Sequence, residues 1–191
     1  MSEIFAFTPE NKAAAEKLIA KYPPGRQASA VLPLLDLAQR QVGGWLPRAA
    51  MDYVAAALDM APIRVYEVAT FYSMFNLQPV GKYLLQVCRT TPCWLRGSDK
   101  LIEACQRRLG IGLKETTDDG KFTLTEVECL GACVNAPVIQ INDDFYEDLD
   151  AAKLERVLDG LAHGKPVPAG SQSGRRGSAP EGDPTTLLET K

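Results

Sequence analysis

The spacing of apolar residues changes once along this chain, at Pro79-Val80-Gly81, and that change limits what the chain can fold into. From Thr8 to about Phe75 the spacing is helical, and after the change short strand-like segments alternate with helical ones. We therefore expect a small helical bundle over residues 1–79 and a second domain over residues 80–163.

Several residues in the helical part indicate where a helix begins or ends. Thr8 is suited to cap a first helix, and a second apolar stripe from Val31 is closed by Gly43-Gly44. A third stripe runs from Pro47 and a fourth opens at Pro62, positions where proline is tolerated. Short connections between such helices are typical of a bundle.

The second domain reads as strands and helices in the order β-α-β-β-(β)-α, which is compatible with a thioredoxin-like sheet. The central helix starts at Ser98 and ends at Gly110, and the last helix begins near Asp150. The predicted strands are Lys82–Cys88, Phe122–Glu128, Pro137–Ile141 and Phe145–Leu149. The expected fold class is therefore α+β.

Residues 164–191 are rich in Gly, Pro, Ser and charge and hold few large apolar side chains. Such a segment cannot bury enough surface to fold alone. We expect an extended tail that is either loose or laid over a partner.

Charge and hydropathy exclude several classes of function. The net charge of −3 and the scattered basic residues argue against a nucleic-acid partner. No apolar run approaches the ~20 residues that span a bilayer, so we expect no direct membrane insertion. The N-terminus resembles neither an export signal nor an organelle address, so the cysteines are expected to stay reduced.

Four of the five cysteines form two close pairs. Cys88 ends the first predicted strand and Cys93 follows after four residues; Cys129 ends another strand and Cys133 follows after three. Pairs just past two strand ends would meet at one edge of a sheet. Cys105 shares a helical stripe with leucines, where a cysteine acts as a small core residue.

Four converging thiolates can hold either a zinc ion or an iron-sulfur cluster. Structural zinc sites usually use a CxxC knuckle, whereas CxxxxC and CxxxC suit a larger two-iron group. A zinc-stabilised interaction module, buried thiols and a thioredoxin-type dithiol remain open, the last disfavoured because CxxC is missing. His163 has no partner at ligand spacing, and no nucleotide-binding glycine motif appears.

A [2Fe-2S] core with four thiolates carries about −2 charge and needs nearby donors and cations. The predicted neighbours are Gly131 and Ala132 for close backbone approach, Thr90 and Thr91 for hydroxyl donation, and Arg89 and Arg96 for positive charge.

The segments VCRTTPCWLRGS and EVECLGACVNAPVIQIN, together with VYEVATFYSMF before them, resemble the thioredoxin-like [2Fe-2S] subunit family of respiratory complex I, the NADH:quinone oxidoreductase. The resemblance covers about residues 8–163, and all four ligand positions match. It implies one [2Fe-2S] cluster on Cys88, Cys93, Cys129 and Cys133. It also implies an electron carrier without its own substrate site or catalytic residue.

By the same resemblance, the cluster exchanges electrons with the FMN of a flavoprotein subunit that oxidises NADH, so FMN and NAD lie only on that partner. The large iron-sulfur subunit is a second implied partner. In the family this cluster lies off the main path from flavin to quinone. The implied location is a peripheral arm on the cytoplasmic side of a bacterial inner membrane, or the matrix side in a mitochondrion.

A related alternative is the equivalent diaphorase subunit of an NAD-linked formate dehydrogenase or an NAD-reducing hydrogenase. The segment SGRRGSAPEGDPTTLLE looks like the extended C-terminus of mitochondrial and related bacterial versions. It argues for the respiratory complex and for docking of the tail on other subunits.

Overall fold

The computed structural model describes residues 4–177 of the chain. The chain forms two compact units, with the division between Lys82 and Tyr83. In the described part, no helix is both long enough and apolar enough to cross a bilayer.

The first unit is helical. Its α-helices are α1 (Pro9–Ile19), α2 (Val31–Val42), α3 (Arg48–Ala57) and α4 (Pro62–Phe71), and a 3₁₀ turn at Gln27–Ala30 precedes α2. Their facing residues form one apolar core around the α2 side chains Leu34, Leu35 and Ala38, all fully buried.

The helix ends of this unit follow the sequence signals. The Thr8 hydroxyl accepts a hydrogen bond from the Asn11 amide at 3.2 Å, which satisfies one free donor at the start of α1. Gly43, directly after α2, has φ of +95°, a conformation that side chains with a Cβ rarely adopt. The predicted cap and stop are therefore confirmed.

The second unit is a six-stranded sheet with helices packed on it, in the described residues. Its strands are β1 (Tyr83–Cys88), β2 (Glu115–Thr116), β3 (Phe122–Val127), β4 (Ile139–Ile141), β5 (Asp144–Glu147) and β6 (Gly170–Ser171). Its helices are α5 (Thr91–Leu95), α6 (Ser98–Leu109) and α7 (Ala151–Ala162).

The strand order β2-β3-β1-β4-β5-β6 places β1 at the centre. β3 runs parallel to β1, reached through a helical crossover, and β4 runs antiparallel to it. β5 continues antiparallel to β4, and α7 follows. This is the thioredoxin-like arrangement, and the α+β prediction is confirmed.

The core of the second unit lies on one face of this sheet. Leu85 and Val87 alternate with more exposed neighbours along β1, so both point into the core. They meet Leu101 and Cys105 of α6 and Leu154 of α7 in a single apolar cluster. The Asp150 carboxylate caps α7 by accepting a hydrogen bond from the Lys153 amide at 2.8 Å.

The first part of the predicted tail, residues 164–177, lies on the second unit. Gly170 and Ser171 pair in parallel with β5, and the Gln172 amide donates to the Glu147 carbonyl at 2.9 Å. This part of the tail is bonded to its own domain, whereas the sequence predicted that it would be either loose or laid over a partner. Residues 178–191 of the predicted tail lie outside the described residues.

Candidate functional site

The four cysteines of the two motifs come together at one edge of the sheet. Because β1 and β3 are parallel and Cys88 stands opposite Val127, both strands end at the same level. Cys93 follows in α5, and Cys129 and Cys133 lie in the loop after β3, with Cys133 opening a 3₁₀ turn over Cys133–Asn135. The short α5 helix, which the sequence did not predict, carries Cys93 back toward Cys88.

The thiols form two pairs that interact. The sulfurs of Cys129 and Cys133 lie 3.5 Å apart. Cys88 interacts with Cys93, and also electrostatically with Cys133 across the two motifs. Within residues 4–177, no group of three or more His, Cys, Asp or Glu side chains is arranged as a ready single-ion site.

The pairs differ in exposure, since Cys88 and Cys93 are buried whereas Cys129 and Cys133 are exposed. The buried pair packs with Ala136 and Val138, and the half-buried Ala132 closes this small apolar cluster. One side of the site is therefore enclosed by protein and the other faces outward.

Hydroxyl and amide groups surround the sulfurs. The Thr90 hydroxyl lies 3.2 Å from Cys88 Sγ, and the Gly131 amide donates to Cys129 Sγ at 3.4 Å. Gly131 has φ of +79°, which explains why glycine suits this tight turn. The amides of Leu130 and Val138 interact with Cys88 and Cys93, respectively.

These contacts separate the pKa values of the thiols within each pair. Burial raises the pKa of Cys88, but hydrogen bonds from the Thr90 hydroxyl and from the Leu130 and Thr90 amides outweigh it, so the net pKa is lowered. The Gly131 amide lowers the pKa of Cys129. Burial raises the pKa of Cys93 to about 12, and the hydrogen bond with Cys129 raises the pKa of Cys133. One sulfur in each motif is thus favoured as thiolate, the form that binds metal.

The other predicted neighbours are placed differently. The Arg89 guanidinium donates to the Glu126 carboxylate at 2.6 Å and lies 3.9 Å from Asp99, so its charge is paired locally. Thr91 is the exposed first residue of α5, and no hydrogen bond joins its hydroxyl to a cysteine. Arg96 lines an open cleft of about 680 Å³ beside Cys133.

Sequence reasoning missed three contributors to this site. The Leu130 and Val138 amides act through the backbone, so their side chains carry no signal. Arg175 reaches the cleft from the tail and donates to the Val134 carbonyl, one residue after Cys133, at 3.0 Å. The sequence shows an Arg-Arg pair at this point in a Gly-rich segment, but nothing in the sequence links that pair to the cysteine loop.

An apolar rim, defined here as Trp94, Leu95 and Val134, borders the cysteines. These side chains are 53%, 71% and 52% exposed. Exposed large apolar side chains grouped beside a functional loop are typical of protein contact surfaces.

Cys105 and His163 lie away from the site. Cys105 lies on the buried face of α6, and burial raises the pKa of its thiol to about 12. His163 lies after α7, and its Nδ1 is 2.7 Å from the Asp159 carbonyl.

Comparison with known proteins gives a family match and close relatives. The family model described as thioredoxin-like [2Fe-2S] ferredoxin matches residues 15–162. A Rickettsia felis protein named as a subunit of NADH-quinone oxidoreductase is 64% identical over 159 residues, which cover 83% of this chain and 95% of that protein. The Dictyostelium discoideum protein named NADH dehydrogenase [ubiquinone] flavoprotein 2, mitochondrial, is 54% identical over 185 residues, covering 97% of this chain and 75% of that protein.

A solved structure supports the fold. A crystal structure of an NAD+-reducing [NiFe]-hydrogenase in the air-oxidized state aligns with a TM-score of 0.61 at 22% identity. The alignment covers 69% of this chain and 23% of that chain, so this protein spans less than a quarter of the solved chain's length.

Proposed function

Because the chain belongs to the thioredoxin-like [2Fe-2S] ferredoxin family, we propose that it is the [2Fe-2S] electron-transfer subunit of an NADH:quinone oxidoreductase. The observation that carries this proposal is the convergence of two cysteine motifs at the ends of parallel strands. The relatives named as oxidoreductase subunits support the choice of complex.

The residues present suit such a group. We propose Cys88, Cys93, Cys129 and Cys133 as the four residues that would hold the cluster, two from each motif. Two thiolates bound at about 2.3 Å to one tetrahedral metal lie about 3.8 Å apart, close to the 3.5 Å between Cys129 and Cys133. When bound, a [2Fe-2S] cluster takes up and returns a single electron.

The protein around the sulfurs would compensate the negative charge of the thiolates. Thr90 and the amides of Leu130, Val138 and Gly131 supply hydrogen-bond donors to the sulfurs. Burial of Cys88 and Cys93 excludes water from one side, while the exposed pair leaves a short route for electrons on the other.

Electron exchange is proposed to take place with the FMN of a partner flavoprotein that oxidises NADH. The apolar rim Trp94, Leu95 and Val134 beside the exposed cysteines is the surface we assign to this contact. FMN and NAD would then belong to the partner, and the large iron-sulfur subunit of the complex would be a second neighbour. A location in a peripheral arm on the cytoplasmic or matrix side follows from this assignment.

Metal analysis with electron paramagnetic resonance (EPR) tests the proposal. The anaerobically purified chain should contain about two irons and two acid-labile sulfides and give an EPR signal after dithionite reduction. One zinc per chain without sulfide, and no signal, would instead identify a zinc-stabilised interaction module. Copurification with hydrogenase or formate dehydrogenase subunits would favour the related diaphorase role, for which the hydrogenase resemblance at 22% identity supports only the fold.

Thr90→Val is expected to lower the reduction potential of the proposed cluster. The Thr90 hydroxyl lies 3.2 Å from Cys88 Sγ, and losing a donor disfavours the more negative, reduced state. A loss of about 1 kcal/mol corresponds to about 40 mV for one electron. Redox titration monitored by EPR measures the shift. Thr91→Val is the matched control, and equal shifts in both variants would contradict the assigned hydrogen bond.

Leu95→Asp is expected to weaken binding to the NADH-oxidising flavoprotein by about 10- to 30-fold, the effect of losing a central apolar contact. Leu95 is 71% exposed, so the fold should tolerate the change. Binding can be measured by interferometry with the purified partner. Ile63→Asp, at an exposed apolar site in the helical unit, is the control. If both variants bind equally weakly, the contact is not localised at the apolar rim.

A further inference from the structure

Residues 170–177, called the strap here, hold the turn that carries Cys133. Arg175 Nη2 donates to the Val134 carbonyl at 3.0 Å, which ties the strap to the residue next to Cys133. The same guanidinium binds both oxygens of the Asp148 carboxylate, with Nε at 3.2 and 3.1 Å and Nη2 at 2.5 Å. One side chain therefore connects the end of β5, the strap and the cysteine turn.

Asp148 makes this connection rigid. Its side chain is only 8% exposed, so its charge needs a partner, whereas that of Arg175 is 51% exposed. The Ser171 hydroxyl also donates to the carboxylate at 2.6 Å, and Arg175 holds the pKa of Asp148 below its usual range. The Asp148 amide donates to the Asn135 carbonyl at 2.8 Å, so the residue contacts the cysteine turn directly.

Gly177 contacts the same turn from the far end of the strap. A Cβ placed on Gly177 would lie 2.8 Å from Asn135 Nδ2, closer than packed atoms approach. That amide nitrogen also donates to the Glu147 carboxylate at 2.6 Å. A segment about forty positions later in the chain is thus hydrogen-bonded to the turn Cys133–Asn135 at Val134 and approaches it closely at Asn135.

We propose that the strap is a positioning device for the outer side of the metal site, in which Arg175 fixes the orientation of Cys133. This inference rests on the proposed [2Fe-2S] function. The strap itself supplies no ligand. It acts through the Val134 carbonyl and the Asn135 side chain, and it makes the properties of the cluster depend on where the C-terminal segment lies.

Arg175→Ala in the full chain tests this inference. We expect at least about tenfold faster release of iron to a chelator, the factor that follows from losing a hydrogen bond of a charged group, and changed g values in the EPR signal. Arg176→Ala is the matched control, because Arg176 is exposed and makes no hydrogen bond or ion pair within residues 4–177. Arg175→Lys keeps the charge but not the two-pronged geometry, and it should resemble Arg175→Ala in g values.

A second pair of variants avoids any change of charge. Gly177→Ala would press on Asn135, whereas Gly174→Ala meets no atom within 4 Å, and both glycines have positive φ, +70° and +74°. Backbone strain is therefore similar, and only Gly177→Ala should release iron faster and shift the signal. If circular dichroism shows that Arg175→Ala does not fold, the two glycine variants still test the strap inference.

Failure of the strap inference and failure of the proposed function give different results. Iron release and g values that match between Arg175→Ala and Arg176→Ala, or between the two glycine variants, would overturn the strap inference while leaving the cluster in place. A wild-type chain without iron and sulfide would overturn the proposed function, and the inference with it.

Discussion

Replacing Cys129 by Ala is expected to abolish the [2Fe-2S] cluster while leaving the fold nearly intact. The cluster requires four ligands, and alanine supplies none, so iron and sulfide content should fall by at least about tenfold. Cys129 is exposed, and its side chain belongs to none of the three apolar clusters of the described residues. The far-UV circular dichroism spectrum should therefore change little, while visible absorbance and the EPR signal disappear.

Cys105→Ala is the matched control for this experiment. It removes a thiol from a fully buried position on α6, so it costs stability but removes no proposed ligand. We expect full iron and sulfide content in that variant. Full content in Cys129→Ala, or a colourless Cys105→Ala chain that is still folded, would contradict the ligand assignment.

Leu85→Ala is expected to destabilise the second unit by about 3 kcal/mol, within the range of about 2–5 kcal/mol for large-to-small core changes. Leu85 is fully buried on the central strand β1 and contacts the core shared by α6 and α7. Because β1 also ends at Cys88, partial unfolding of this strand should release the metal as well.

Hydrogen exchange followed by mass spectrometry can measure this effect separately from the helical unit. Peptides covering Phe122–Val127, the neighbouring strand β3, should exchange about 100-fold faster in Leu85→Ala than in the wild type. Leu95→Ala, at a 71% exposed site, should leave exchange in β3 unchanged. Unchanged exchange in Leu85→Ala would mean that the core does not depend on this side chain.

Much of the fold could be predicted because its signals are local. Thr8 and Asp150 cap helices as expected from their residue types, and Gly43 ends α2 through its positive φ. The alternation in β1 and β3 gives the strands that bring the motifs together. The cysteine spacing, joined to strand ends, was enough to predict where the thiols lie.

The remaining parts of the site depend on contacts that residue types do not reveal. Donation from the Leu130 and Val138 amides is set by backbone geometry, which is independent of their side chains. The strap has a composition typical of disorder, yet Arg175 anchors it to Asp148, 27 positions earlier. A long-range polar contact of this kind stabilises a segment that has no apolar face, so apolar periodicity cannot detect it.

Because β1 and β3 are parallel, both strands begin at the edge of the sheet opposite the cysteines. The chain can be lengthened at that edge. The turn between β2 and β3, at Asp118–Asp119–Gly120, joins β3 at the end opposite the cysteines. Since β3 has six residues, this turn lies about 20 Å from the metal site. Gly120 has open space around it, so the turn is a permissive insertion point. An affinity tag or a spectroscopic probe placed there would label the protein without covering the apolar rim beside the cysteines.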